Sequence, residues 1–342
     1  MDLTYKEIQD TFPALSKTTA YLNEKWSEIE GFLSGKIRFI FVGCGSSYSI
    51  AKSMAAICNM HAGVPASALA AGDILLHASR YKKMVEGAAV VCISRSGKTS
   101  ELLMALDALS AEGISMSVLS IVAAEDTPME EKSDLTLATP WAFDESVCQT
   151  RTVSNFYFIG AYLFARYTGD EATVNDLQHI LQNGSDYLAQ AEALAKKIAV
   201  EPWNRAAVLA DAELEGLAEE GALVFKEVCQ LPANYYHMLD VRHGPIVLFG
   251  EQTLVLLCLG TSDELERNLL KDLKAKGSHV VAFSDMPIEA TDVSCISFGR
   301  TLTHMARGIP FILLSQLVAY EKSKVTGADP DQPTGLSAWI AL

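Results

Sequence analysis

The stretch Arg38-Phe-Ile-Phe-Val-Gly-Cys-Gly-Ser-Ser-Tyr48 decides the fold of this chain. Its first part, from Arg38 to Val42, is almost wholly apolar and rich in residues that favour a buried strand. A glycine-rich turn follows, and a helical pattern runs from there to Met60. A buried strand that enters a helix through a tight turn predicts the first βα unit of a parallel sheet.

The same unit recurs further along the chain. A second apolar strand, Ala88–Ile93, leads into the turn Ser94-Arg-Ser-Gly-Lys-Thr99 and a helix that ends at Gly113. Two more strands are predicted at 115–121 and 135–138. Continuous apolar strands that alternate with helices predict an α/β fold, with helices on both faces of a parallel sheet.

The second half of the chain repeats this pattern. Apolar strands at Ala206–Ala210 and Leu254–Leu259 correspond to the first two strands, and a helix from Glu264 again ends at a glycine, Gly277, with a strand after it. Both halves then close with an apolar helix that follows a short strand. We interpret this as an internal repeat of one α/β domain, although βα units are common enough to align by chance. The predicted boundaries are N-terminal helices at 1–36, a first domain at 37–171, a connector helix at 172–200, a second domain at 201–327 and a C-terminal tail at 328–342.

Composition narrows the function. The 342 residues are 49% hydrophobic, with no apolar run long enough to span a bilayer, and the net charge of −15 disfavours nucleic acid as a partner. The N-terminus lacks the basic and apolar regions of a secretory signal, and the seven cysteines include no Cys-x-x-Cys pair. We therefore expect a cytoplasmic protein without a membrane partner, a metal or a cofactor.

Two turns carry hydroxyl groups at the starts of helices, where backbone N–H groups favour anions. The first contains Ser46 and Ser47, and it is not a dinucleotide fingerprint because Tyr48 stands where the third glycine would be. The second, Ser94–Thr99, ends like a nucleotide P-loop, but Cys92 replaces the leading glycine. Ser94, Ser96 and Thr99 suit a phosphate monoester, although Ser96 or Thr99 could instead cap the helix.

Three further polar features are open to two interpretations. The cluster Val147–Thr152 precedes an apolar helix and could close over a ligand or simply cap that helix. Glu220 and Glu227 lie two turns apart on one face of a predicted helix, and His243 lies in a turn. A desolvated glutamate could transfer protons, but a surface glutamate and a loop histidine are ordinary features.

Several motifs are informative when taken together. They occur in order from about residue 37 to the C-terminus: Cys44-Gly-Ser-Ser-Tyr48, Ile93-Ser-Arg-Ser-Gly-Lys-Thr99, Ser146-Val-Cys-Gln-Thr-Arg151, Glu220-Gly-Ala-Leu-Val-Phe-Lys-Glu227, Arg242-His-Gly-Pro245 and Asp331-Gln-Pro333. This set resembles the double sugar-isomerase (SIS) domain family, which includes the isomerase half of glucosamine-6-phosphate synthase. The resemblance implies two flavodoxin-like three-layer α/β domains and a phosphosugar enzyme.

The resemblance also implies roles for individual residues. Glu227 matches the base that moves a proton between C1 and C2, and His243 matches the histidine linked to ring opening. In the family this histidine comes from the neighbouring subunit, so a homodimer is implied. The residues implied to bind the sugar phosphate are Ser46, Ser47, Ser94, Arg95, Ser96, Thr99, Val147, Gln149 and Glu220, and the C-terminal tail is implied to reach the active site.

Two departures bear on the reaction. Val224 and Ala338 replace two lysines of the synthase, and no glutaminase region precedes the lead-in helices, so we expect a reaction other than glutamine-dependent synthesis. A Glu and His pair without those lysines resembles deglycases that split fructosamine 6-phosphates. Glucosamine-6-phosphate deaminases, ketose–aldose isomerases of the tagatose-6-phosphate type, and non-catalytic phosphosugar-binding regulators remain the alternatives.

Overall fold

The computed structural model describes residues 2–260, 264–285, 288 and 293–337. The strands of this part of the chain are β1 (Phe39–Gly43), β2 (Ala66–Ala70), β3 (Ala89–Ser94), β4 (Ser117–Val122), β5 (Leu135–Ala138), β6 (Arg205–Leu209), β7 (Ala233–Tyr236), β8 (Thr253–Cys258), β9 (His279–Phe283) and β10 (Ser294–Ile296). The α-helices are α1 (Leu3–Gln9), α2 (Thr11–Glu24), α3 (Trp26–Leu33), α4 (Ser46–Ile57), α5 (Ala71–Val85), α6 (Ser100–Ala111), α7 (Arg151–Thr168), α8 (Glu171–Ala199), α9 (Glu215–Val228), α10 (Glu264–Ala275) and α11 (Gly308–Thr326).

The strands form two five-stranded sheets with the orders β2-β1-β3-β4-β5 and β10-β9-β8-β6-β7. Neighbouring strands are parallel throughout both sheets. In chain order the second sheet repeats the arrangement of the first. The predicted α/β class, with parallel sheets flanked by helices, is confirmed.

The alternating directions of the β1 side chains explain why helices cover both faces of the first sheet and form a three-layer unit with it. Ile40 and Val42 face a core that includes Ile74 of α5 and Leu102 of α6. Phe41 faces the opposite way, and its ring meets that of Phe164 in α7 at 6.1 Å. Successive side chains of a strand point to opposite faces, so a wholly apolar strand needs a cover of helices on both sides.

Two strands were missing from the sequence prediction, β2 and β7. Residues 66–70 are mostly alanine and only partly buried, and β7 has four residues of which only Ala233 is buried. Both are edge strands, in which the continuous apolar pattern of a central strand is weak. The helix predicted to reach Met60 ends at Ile57 and is followed by a π-helical turn.

The chain forms two compact units. The first unit contains residues 10–145 and 151–174 and holds the β1–β5 sheet, whereas the second contains residues 2–9, 146–150 and the described part of 175–336. The predicted lead-in is thus divided, with α1 in the second unit and α2 and α3 in the first. Among the helices that the structure describes, none is long and apolar enough to cross a membrane.

Candidate functional site

In the first unit, the turn between β1 and α4 places two hydroxyls at the start of a helix. Gly45 precedes the helix with φ of +53° and ψ of −128°, a positive-φ conformation that glycine adopts without strain. Ser46 and Ser47 are the first residues of α4, and each is 5% exposed. The N–H groups of Ser47 and Tyr48 donate to the carbonyls of Cys44 and Gly45 at 3.1 and 2.8 Å, so it is the hydroxyls and the positive end of the helix dipole that favour an anion here.

The turn between β3 and α6 carries all three predicted hydroxyls and pairs two of them. The Oγ of Ser94 lies 2.9 Å from the Oγ1 of Thr99, and the N–H of Gly97 donates to Ser94 Oγ at 3.1 Å. The N–H of Lys98 donates to Ser96 Oγ at 3.2 Å. We call Ser94, Ser96 and Thr99 the hydroxyl cluster; it follows the carboxyl end of β3, the edge where ligands bind in open α/β sheets.

Helix capping does not account for Thr99. This residue is at the N-cap position of α6 with φ of −61° and ψ of 113°, but its side chain makes no capping hydrogen bond. Its hydroxyl pairs with Ser94 instead. A hydroxyl pair next to the N–H groups of a helix start can donate to phosphate oxygens after a small rotation of each O–H.

The same turn is packed closely against the loop that follows β4. Gly97 has φ of +61°, and a Cβ placed on it would lie 2.5 Å from Thr127 Oγ1. The N–H of Met129 donates to the carbonyl of Gly97 at 3.3 Å. Only glycine allows both this backbone conformation and this approach, so the shape of the hydroxyl cluster depends on Gly97.

Arg95 and Cys44 accompany the two turns. Arg95 is 7% exposed, and its guanidinium donates to the Asp144 carbonyl at 3.3 Å and lies 5.8 Å from the Phe143 ring. Burial, together with the negative charge of Glu101, raises the pKa of the Cys44 thiol to about 12. Cys44 is therefore neutral near pH 7 and does not compete with a bound anion.

The segment Ser146–Thr150 in the second unit contains two predicted sugar-binding residues. Val147 and Gln149 are half-buried. The Oε1 atom of Gln149 is buried and has no hydrogen-bond partner in the described part of the chain. A buried amide oxygen without a donor is uncommon, and a ligand hydroxyl or amine would satisfy it.

Helix α9, also in the second unit, carries both predicted carboxylates. Glu220 is completely buried, and Glu227 is half-buried one residue before the end of the helix. Val224, which stands where the synthase family has lysine, is fully buried between them in sequence. Val224 therefore places an uncharged side chain one turn before Glu227.

His243 follows the short 3-10 helix Asp240–Arg242 in the second unit and is exposed. The backbone N–H of His243 donates to the Asp240 carbonyl at 2.8 Å. This bond fixes the backbone and leaves the imidazole in solvent. Ala338, the other predicted departure, lies outside the described residues. No group of three metal-ligating side chains occurs within the described ranges.

The sequence analysis gave no role to Glu7 and no specific role to Asp331. Glu7 is 4% exposed and accepts hydrogen bonds from Ser146, whereas the Asp331 carboxylate accepts the N–H of Leu3 at 2.8 Å. The available signal was the position of Glu7, which is three residues after Thr4 and one before Ile8. A glutamate on the apolar face of an amphipathic helix usually has a buried partner.

Comparisons with known proteins agree with this fold. Residues 32–166 match the family model of the SIS domain. The isomerizing glutamine–fructose-6-phosphate aminotransferase of Yersinia pseudotuberculosis is 25% identical over 337 residues, which cover 94% of this chain and 54% of that protein. Its counterpart in Zymomonas mobilis is 28% identical over 330 residues, with 89% and 52% covered. The chain thus spans about half the length of these curated relatives.

Two solved structures are similar over nearly the whole chain. Glucosamine-6-phosphate deaminase from Thermotoga maritima superposes with a TM-score of 0.82 and 23% identity, covering 100% of both chains. Tagatose-6-phosphate ketose/aldose isomerase from Escherichia coli gives a TM-score of 0.80 and 20% identity, covering 99% of this chain and 95% of that one. At these identities the likeness concerns the fold.

Proposed function

We propose that this chain is a phosphosugar-processing enzyme that transfers a proton between C1 and C2 of an amino-sugar or fructosamine 6-phosphate. The observation that carries the proposal is the hydroxyl cluster at the start of α6, in which Ser94 and Thr99 lie 2.9 Å apart. In the proposal, these hydroxyls, Ser96 and the N–H groups of the helix bind the phosphate. Ser46, Ser47 and Arg95 complete the phosphate-binding residues.

The similar proteins support a hexose 6-phosphate as the substrate class. The names of the aminotransferase, the deaminase and the isomerase all refer to a hexose 6-phosphate. Residues 32–166, which match the SIS domain, include both hydroxyl-bearing turns. The sequence of the second turn also favours a monoester over a nucleotide, because a P-loop needs a glycine where Cys92 stands.

We also propose that residues 201–327 form a second SIS domain. Its strand order repeats that of the first sheet. Ala212, in the turn between β6 and α9, has φ of +54°, close to the +53° of Gly45 in the turn between β1 and α4. A left-handed alanine is strained, and its presence at the matching turn supports a common origin of the two units.

In the proposed reaction Glu227 is the base. For a fructosamine 6-phosphate, it removes a proton from C1, and protonation at C2 then converts the ketosamine into an imine at C1. Water hydrolyses the imine to an aldose 6-phosphate and the free amine. Val224 in place of a lysine fits deglycation or deamination, which start from a substrate that already contains the C–N bond. Val147, Gln149 and Glu220 contribute to binding the sugar.

The experiment that tests this function is a product assay by mass spectrometry. Purified protein is incubated with fructosamine 6-phosphates, glucosamine 6-phosphate and ketohexose 6-phosphates, and Glu227→Gln is run in parallel. We expect release of amine from an aminated substrate and a loss of about 10²–10⁴-fold in kcat for the variant, as for removal of a general base. Ketose–aldose interconversion alone would instead identify an isomerase.

Two results would contradict the proposal. Thermal stabilisation by sugar phosphates without any turnover would indicate a phosphosugar-binding regulator, since binding to the folded state alone raises stability. Equal activity of the wild type and Glu227→Gln would exclude Glu227 as the base. Glu219→Gln, on the same helix α9, serves as the matched control for removing one negative charge.

We further propose a homodimer in which His243 acts in the active site of the partner. His243 is exposed, and the 3-10 helix that follows it exposes 73% of Val247 and 62% of Leu248. Neighbouring exposed aliphatic side chains favour burial against another protein surface. This arrangement would bring the imidazole to the edge of such an interface.

Mixed dimers test the contribution of His243. Glu227→Gln and His243→Ala are each expected to be inactive as homodimers. If His243 acts across the interface, their mixture regains about a quarter of wild-type activity, because half of the dimers are mixed and each has one intact site. No recovery in a mixture shown to contain mixed dimers would place both residues in the same subunit's site.

A further inference from the structure

The segment Ser146–Thr150 is held at several points by other parts of the second unit. The carboxylate of Glu7 accepts the N–H of Ser146 at 3.1 Å and also accepts the Ser146 hydroxyl. The N–H of Val147 donates to the carbonyl of Asp331 at 3.0 Å. At the other end, the side-chain amide of Gln316 donates to the Thr150 carbonyl at 2.9 Å.

The first two of these anchors are linked through helix α1. One Asp331 oxygen accepts the N–H of Leu3 and the other accepts the N–H of Thr4, each at 2.8 Å. These N–H groups open the helix and have no acceptor within it, and a negative charge is favourable at that end. Asp331 therefore fixes the start of the helix whose next turn carries Glu7.

Burial strengthens this arrangement. Thr4 is fully buried, Ser146 is 1% exposed and Glu7 is 4% exposed. Hydrogen bonds to an ionised carboxylate are stronger than neutral ones, and they gain further strength where water is excluded. A neutral amide at position 7 could accept only one of these two hydrogen bonds, and no charge would strengthen it, so holding Ser146 in the same position would cost more free energy.

We infer that Glu7 and Asp331 are positioning residues that hold Ser146–Thr150 so that Gln149 presents its side-chain oxygen to the sugar. This inference rests on the proposed function, in which Gln149 binds the sugar. The buried Oε1 atom of Gln149 has no hydrogen-bond partner among the described residues and is free to accept one from a ligand. Neither Glu7 nor Asp331 needs to touch the substrate for this role.

The kinetic test compares Glu7→Gln with Glu30→Gln. Glutamine keeps the size of Glu7 but can accept through only one of its two terminal atoms. Glu30 is exposed on α3, so its substitution removes the same charge from a place without buried contacts. For the most active substrate we expect Glu7→Gln to raise KM by up to about tenfold, the upper range for losing the one neutral hydrogen bond between Gln149 and the sugar, with kcat changed less than about twofold. Glu30→Gln keeps the wild-type KM.

A double variant separates positioning from a general loss of stability. Gln149→Ala removes the proposed sugar contact, so adding Glu7→Gln to it raises KM by less than about twofold if Glu7 acts through Gln149. A full further tenfold increase would overturn the inference, as would a wild-type KM in Glu7→Gln itself. Asp331→Asn is expected to raise KM as Glu7→Gln does, and to add as little to the KM of Gln149→Ala.

Amide hydrogen exchange measures how firmly these hydrogen bonds fix Ser146–Thr150, and it needs no substrate. We expect the Ser146 and Val147 amides to exchange about tenfold faster in Glu7→Gln than in the wild type, and at the wild-type rate in Glu30→Gln. Unchanged exchange overturns the inference even when the enzyme is active. Faster exchange in a protein that neither binds nor turns over any phosphosugar overturns the proposed function and the sugar-binding role of Gln149. It still supports the part of the inference in which Glu7 fixes Ser146–Thr150.

Discussion

Replacing Gly97 with alanine tests the shape of the turn that carries the hydroxyl cluster. The new Cβ would lie 2.5 Å from Thr127 Oγ1 and 2.6 Å from Thr127 Cβ, well inside van der Waals contact. The left-handed conformation costs alanine about 1–2 kcal/mol, and displacing a packed neighbour adds about 1–3 kcal/mol. We therefore expect Gly97→Ala to lower the free energy of unfolding by about 2–5 kcal/mol.

Gly113→Ala is the matched control for this change. Gly113 has φ of +68°, but a Cβ placed on it would have no atom within 4 Å. Its substitution introduces backbone strain alone, with an expected loss of about 1–2 kcal/mol. Urea unfolding at fixed pH measures both variants, and comparable m-values confirm that the same surface is exposed in each transition.

Equal destabilisation by Gly97→Ala and Gly113→Ala would refute this account of the turn. A double-mutant cycle adds a sharper criterion, because Thr127→Gly removes all three side-chain atoms that the new Cβ would meet. In that background Gly97→Ala should be less harmful by more than about 0.5 kcal/mol, and additivity would mean that the two residues are not in contact. Gly97→Ala should also weaken stabilisation by sugar phosphates, since the Gly97 N–H donates to Ser94.

Three other predictions concern the phosphate site and ionisable groups. Ser94→Ala should weaken sugar-phosphate binding about tenfold by calorimetry, whereas Ser110→Ala, on the exposed side of α6, should not; equal affinity would exclude Ser94. The Cys44 thiol, with a pKa of about 12, should react slowly with iodoacetamide at pH 8, and Glu101→Gln should accelerate the reaction; an unchanged rate would exclude this charge effect. Burial lowers the pKa of Lys322 in the folded protein below its ordinary 10.5. Between the folded and unfolded pKa values the unfolded chain binds more protons, so the free energy of unfolding should rise with pH across that window. Lys322→Met should remove this contribution in urea titrations, and an unchanged pH slope in the variant would contradict it.

The βα units could be predicted because their signals are local. Apolar runs such as Ala89–Ser94 are buried along their whole length, and the glycines and hydroxyls of the turns follow them directly. The edge strand Ala66–Ala70 could not be predicted from the sequence, because its small residues are only partly buried. Its position comes from pairing with Phe39–Gly43. Hydrogen bonding to a neighbour compensates there for a weak hydrophobic pattern.

The contacts of the positioning residues Glu7 and Asp331 could not be predicted from local sequence either. Glu7 and its partner Ser146 are 139 positions apart, and Asp331 and Leu3 are 328 apart. Local periodicity placed Glu7 in a lead-in helix and Asp331 in a terminal motif without relating them. Their contacts exist only because the folded chain brings α1, the residues after α11 and the Ser146–Thr150 segment together in the second unit.

By itself, the sequence determined the α/β class, the order of the central strands along the chain and the place of the hydroxyl-rich turns, because each of these follows from residues near one another in the chain. Tertiary structure alone decided that Ser94 and Thr99 pair with each other, that Gly97 packs on Thr127, and that Glu7 and Asp331 hold Ser146–Thr150. These features depend on distances between side chains and on the exclusion of water around them, which the folded units establish.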